Sequence, residues 1–123
     1  MKNDLFKKTE ELLYKYPKLI DKAWQLSAIY GDDDARVKEL DKQLILLNNS
    51  IDDIMYDKYY ETIELYYFHK MKQKDIVKKM KTTNKTISTN RKRLVNELSK
   101  IIFQSEYITN IFLEVREQMI KKQ

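Results

Sequence analysis

One glycine (Gly31) and one proline (Pro17) in 123 residues limit this chain more than any other feature. Sheet proteins need tight turns, and tight turns need residues that take left-handed or fixed dihedrals. With two such residues, a multi-stranded fold lacks its corners. Lysine, glutamate, leucine and isoleucine fill the rest, and all tolerate helices well. An all-α fold follows.

Apolar spacing divides the chain into helical stretches. Leu5, Phe6, Leu12, Leu13 and Tyr16 recur at helical intervals with charges between them. Pro17 lacks an amide donor and disfavours a helical residue before it, so it either kinks one long helix or opens a second. Leu19, Ile20, Ala23, Trp24, Leu26, Ile29 and Tyr30 continue the stripe to Gly31, and Asp32–Asp34 supply a loop and an N-cap. Val37, Leu40, Leu44, Leu47 and Ile51 follow at intervals of 3, 4, 3 and 4. That seam serves a helix packed inside its own domain or, alternatively, a dimer contact. Tyr56, Tyr59, Tyr60, Ile63, Leu65, Tyr66, Tyr67 and Phe68 predict an aromatic helix over 56–69, read as core packing rather than as a base-stacking platform. Tyr107, Ile108, Ile111, Phe112, Val115 and Met119 mark a terminal helix over 106–120, packed on the body or on a partner subunit.

Charge separates the two ends. Residues 1–58 carry ten Lys/Arg against twelve Asp/Glu, and residues 59–123 carry fourteen against seven, so net charges of −2 and +7 sum to +5. Between 70 and 100, eleven cations face only Asp75 and Glu97. A block this basic suits a polyanion.

The stretch QKDIVKKMKTTNKTISTNRKRLVNELSKIIF, residues 73–103, carries the sharpest signal. The spacing predicts a short helix over 73–80, a turn at Lys81-Thr82-Thr83, and a longer helix from Asn84 capped by the Thr83 hydroxyl. On an ideal helix, Leu94, Leu98, Ile101 and Ile102 fall within roughly 60° of Ile87 and form a buried stripe. Lys85, Ser88, Thr89, Lys92, Arg93 and Asn96 fall opposite. Arg91, about 40° from the centre of the stripe, is expected to snorkel out at its edge. Cations neutralise phosphates or reach guanine, while Asn, Ser and Thr bond base edges or backbone. The helix N-terminus adds amides that favour phosphate. The DNA-contact candidates are Lys74, Thr83, Asn84, Lys85, Thr86, Ser88, Thr89, Arg91, Lys92 and Arg93.

Residues 75–98, DIVKKMKTTNKTISTNRKRLVNEL, resemble the helix-turn-helix of region four of bacterial sigma factors, without gaps. Asp75-Ile76-Val77 stands where those proteins have Glu-Ile-Ala, Met80 takes the leucine place, Thr83 the serine cap, and Thr86-Ile87 the Thr-Val pair. YYETIELYYFHKM is similar to their preceding scaffold helix. Lys81 replaces the turn's usual glycine, and Val77 replaces a small residue at the helix–helix contact. Upstream, TEELLYKYPKLI and the short length are similar to ArpU/RinA-type phage transcriptional regulators. The resemblance implies a helical N-terminal region over 1–55, for dimerisation or polymerase contact. It also implies a DNA-binding domain with a terminal helix over 56–123. The expected function is a sequence-specific regulator, an activator of phage or mobile-element origin, that binds double-stranded DNA as a homodimer and contacts RNA polymerase. Two alternatives stay open: a terminase-like DNA-packaging recognition subunit, and a protein-interaction module for polymerase or a sigma factor.

Other chemistry lacks its residues. With no cysteine and one histidine (His69), no thiolate or paired-imidazole metal site can form. One glycine cannot build a phosphate loop. The carboxylates at 32–34 and 52–53 show no split-pKa pattern, so neither enzyme activity nor a cofactor or small-molecule substrate is expected. No apolar run reaches the roughly 20 residues of a spanning helix, and Met1-Lys2-Asn3-Asp4 lacks a signal core, so a cytoplasmic location is expected.

Overall fold

A computed structural model describes the backbone of residues 2–121 and the side chains of residues 4–104. The described residues are helical, with no strand. Helix α1 spans Lys2–Tyr30 and runs unbroken through Pro17, so the proline neither ends it nor starts another. Gly31 (φ 85°) stops it, its amide donating to the Ser27 carbonyl at 2.9 Å. Asp34 then caps α2 (Ala35–Asp52) by accepting from the Arg36 amide.

α1 and α2 form an antiparallel hairpin. Leu13 packs with Leu47 and Ile51, and further along Ala23 packs with Leu40 and Leu44. The Tyr16 hydroxyl donates to Asn48 between these layers. The α2 seam is thus spent inside the chain. Val37, Leu40, Leu44, Leu47 and Ile51 are all buried.

The aromatic stretch departs from the expected single helix. Turns occupy residues 53–60, α3 covers only Glu61–Ile63, and Glu64–Phe68 form a π-helical turn closed by the His69 amide on the Glu64 carbonyl, 3.0 Å. The wider turn lets neighbouring residues serve two cores: Ile63 and Tyr67 enter the main one, Leu65 a second. Tyr56 is 95% exposed, while the remaining aromatics pack as expected.

Helices α4 (Gln73–Met80) and α5 (Asn84–Lys121) complete the chain. Leu94, Val95, Leu98 and Ile102 of α5 join Leu13 of α1 and Leu47 and Ile51 of α2, so the two halves of the sequence meet in one core. Glu10 of α1 meets Arg91 of α5, and Leu19 shares a groove with Ile102, so α1 and α5 run in the same direction. Among the described residues, no helix is long and apolar enough to cross a membrane.

Candidate nucleic-acid interface

α4 and the start of α5 carry a small core of their own. Ile76 and Ile87 are fully buried against Leu65, with Met71, Val77 and Met80 around them. The three-residue connection is built from local bonds. Lys81 takes a left-handed conformation (φ 53°, ψ 51°), and the Thr82 amide reaches back to the Val77 carbonyl at 3.2 Å. That pair of features ends a helix in the Schellman manner, with lysine where glycine is easiest. Thr83 Oγ1 accepts from the Thr86 amide at 3.2 Å and donates to the Thr86 hydroxyl at 2.9 Å, capping α5 as its sequence predicts. Val77 is half-buried against this small core.

The rotation of α5 follows from burial. Ile87, Leu94, Val95, Leu98 and Ile102 are each at most 2% exposed. Full burial of such a side chain stabilises by about 2 kcal/mol. Together they outweigh any rotation that would turn Lys85 or Lys92 inward. The opposite face stays open: Lys85, Thr89 and Lys92 are exposed and Ser88 half-buried, while Asn84 is exposed at the helix start and Thr86 half-buried beside it. Neither α1 nor α2 covers them. Lys74 is exposed on α4, and Thr83 is exposed in the turn.

One expectation requires correction. Arg91 does not reach solvent at the edge of the stripe but is buried, 7% exposed. Its Nη1 donates to the Tyr67 hydroxyl at 2.7 Å and lies 3.4 Å from Glu10 Oε2. Tyr67 itself donates to that carboxylate at 2.8 Å. The guanidinium stacks 4.1 Å from the Tyr66 ring centre. An inward carboxylate and an aromatic face compensate the charge there, so Arg91 is unavailable to DNA. Burial, followed by the bond to Glu10, pushes the Tyr67 hydroxyl well above its ordinary range, which keeps it a donor to Glu10.

Arg93 does not stand free either. Nη1 and Nη2 fork onto Asp57 at 2.9 and 3.0 Å, and Nη1 also meets Glu97 at 3.2 Å. The Arg93 fork, and after it the Tyr59 amide, hold the Asp57 carboxyl below its usual range. Arg93 ties α5 to the turn after α2 and keeps only part of its surface outward.

The exposed lysines give the face its field. Lys70, Lys72, Lys74, Lys78, Lys79, Lys81, Lys85 and Lys92 are all exposed, and none is bridged to an acidic residue among the described ones. Gln73, which its spacing marks only as a helix start, lies against Asn84. Its Nε2 is 3.4 Å from the Asn84 carbonyl and 3.5 Å from Asn84 Oδ1. These residues are 11 apart, and only the packing of α4 on α5 brings them together.

No protein-family model, curated protein or solved structure matches the chain.

Proposed function

We propose that this chain is a sequence-specific DNA-binding transcriptional regulator in which α4, the turn and α5 act as a helix-turn-helix. Its reading head is the first turns of α5. One observation carries this: Lys85, Thr89 and Lys92 form an open, cationic, hydrogen-bonding face while Ile87 and Leu94 anchor the helix from behind. A major groove admits such a helix, and these side chains match its donors, acceptors and flanking phosphates. Lys74, Thr83, Thr86 and Ser88 border the face, and the amides at the start of α5 favour a phosphate. The resemblance of residues 75–98 to sigma region four supports the same docking, and the likeness to ArpU/RinA-type regulators supports a phage or mobile-element activator.

Selection of bound fragments from a random duplex pool tests the reading. A recovered motif supports it. Recovery of no sequence above background, with binding insensitive to salt, discards it. RNA polymerase retained on the protein without any DNA binding would instead favour the interaction-module reading.

A further inference from the structure

Gln73 and Asn84 stand at the starts of α4 and α5, and the small core explains why they meet. Each lies three residues before a fully buried isoleucine, Ile76 on α4 and Ile87 on α5. Residues three apart share a helix face, so the pair continues the packing of Ile76 and Ile87 at its outer end. Gln73 is half-buried there and Asn84 is exposed.

The chemistry of the contact fixes which way both side-chain amides point. Gln73 Nε2 lies 3.4 Å from the Asn84 backbone carbonyl. A carbonyl only accepts, so Gln73 turns its Nε2, and not its Oε1, toward α5. The same Nε2 lies 3.5 Å from Asn84 Oδ1, so the Asn84 side chain turns its acceptor toward α4 and its Nδ2 away. Both distances are long for hydrogen bonds, so the contact sets an orientation more than it adds stability. Thr83 caps α5, and Nδ2 of Asn84 has no bond among the described residues.

Resting on the DNA-binding reading, we infer that Gln73 is a positioning residue for base recognition. It holds Asn84 with its donors outward, so that the tip of α5 selects a keto base, guanine or thymine. An asparagine free to turn suits adenine, where its oxygen accepts from N6 and its nitrogen donates to N7. With Oδ1 drawn toward Gln73, that two-bond pairing is lost. Guanine O6 and thymine O4 accept from Nδ2, whereas the amino groups of adenine and cytosine do not.

Selection from a random duplex pool with the full chain and three variants tests this. Wild type recovers a motif, and Asn84→Ala relaxes it at one position, which holds guanine or thymine in wild type. Gln73→Ala relaxes that same position about tenfold and leaves the other positions and the salt dependence as they are. Gln73→Glu offers only acceptors, so it draws Nδ2 inward, turns Oδ1 outward and changes that position to adenine or cytosine. A merely structural glutamine cannot produce that swap. Its loss weakens every position together, and that result overturns the proposal. An amino base at the Asn84 position in wild type, or a motif unchanged in both Gln73 variants, overturns it as well and leaves the DNA-binding reading standing. A wild type that recovers no motif discards both.

Discussion

Arg91 Nη1 lies 2.7 Å from the hydroxyl of Tyr67, and that hydroxyl passes the hydrogen bond on to Glu10 at 2.8 Å. The relay joins α5, the π-helical turn and α1, and it holds the first turns of α5 against the N-terminal hairpin. Removing its cation leaves a part-buried carboxylate and a buried hydroxyl facing each other. Arg91→Ala is expected to cost about 3 kcal/mol in urea unfolding, the low end for breaking a buried pair, because the Glu10 side chain keeps 24% exposure. Under the DNA reading, the salt dependence of binding by the folded variant stays that of wild type. A loss of one phosphate's worth of slope in Arg91→Ala would show that the arginine turns outward on the duplex.

Asp57 and Arg93 give stability a pH dependence of known sign. The folded carboxyl is depressed below its unfolded value by the Arg93 fork. The pair therefore stabilises above the unfolded carboxylate range and loses its contribution as pH falls through the lower, folded value. Both partners are substantially solvated, with the Arg93 side chain 40% exposed, so the effect is at most about 1 kcal/mol. Asp57→Asn should be less stable than wild type at neutral pH by that amount, and the gap should close as acid unfolding carries the pH down through the depressed folded range of Asp57. A gap that widens on acidification would contradict the assignment.

Lys81 marks a place where the chain accepts local strain. A non-glycine residue in the left-handed region costs about 1 kcal/mol, partly offset when glycine replaces it by the greater freedom of the unfolded chain. Lys81→Gly is expected to raise stability by about 0.5 kcal/mol, and Lys81→Ala to leave it near wild type. Thermal unfolding of the three proteins decides it. A destabilised glycine variant would mean that the lysine side chain makes a compensating contact.

How much of this architecture is legible beforehand depends on the range of the interaction. The ends of α4 and the start of α5 follow from bonds within four or five residues, such as Thr83 on Thr86 and Thr82 on Val77, and local spacing carries them. The seam from Val37 to Ile51 is legible as a buried face, but whether its partner is α1 or another copy is not, because periodicity carries no address. Arg91 sits at the edge of its stripe, where a long cation can turn out or in. Glu10, 81 residues away, is among the groups that decide, and no spacing rule reaches that far. The π-helical turn escapes for a different reason: five consecutive large side chains fit an α or a π register equally well, and only the demand of two separate cores selects between them. Lys85, Thr89 and Lys92 are legible as outward because Ile87 and Leu94 fix the inward side.

Lys85 and Lys92 bear the last and most direct expectation, which concerns binding and not stability. Both are exposed and bonded to nothing among the described residues, so Lys85→Ala and Lys92→Ala should each leave unfolding within about 0.5 kcal/mol of wild type. On DNA they should differ from wild type in proportion to salt. Each phosphate contact removed lowers the slope of log affinity against log salt by about 0.9, so the double variant should lose about 1.8 if both lysines meet phosphates. A lysine that reads a guanine edge instead leaves that slope nearly intact and relaxes preference at one base position, by about 1–3 kcal/mol. Titrations of one duplex at several salt concentrations, repeated with single base changes, separate the two roles. Unchanged affinity, slope and preference in the double variant would remove α5 from the interface altogether.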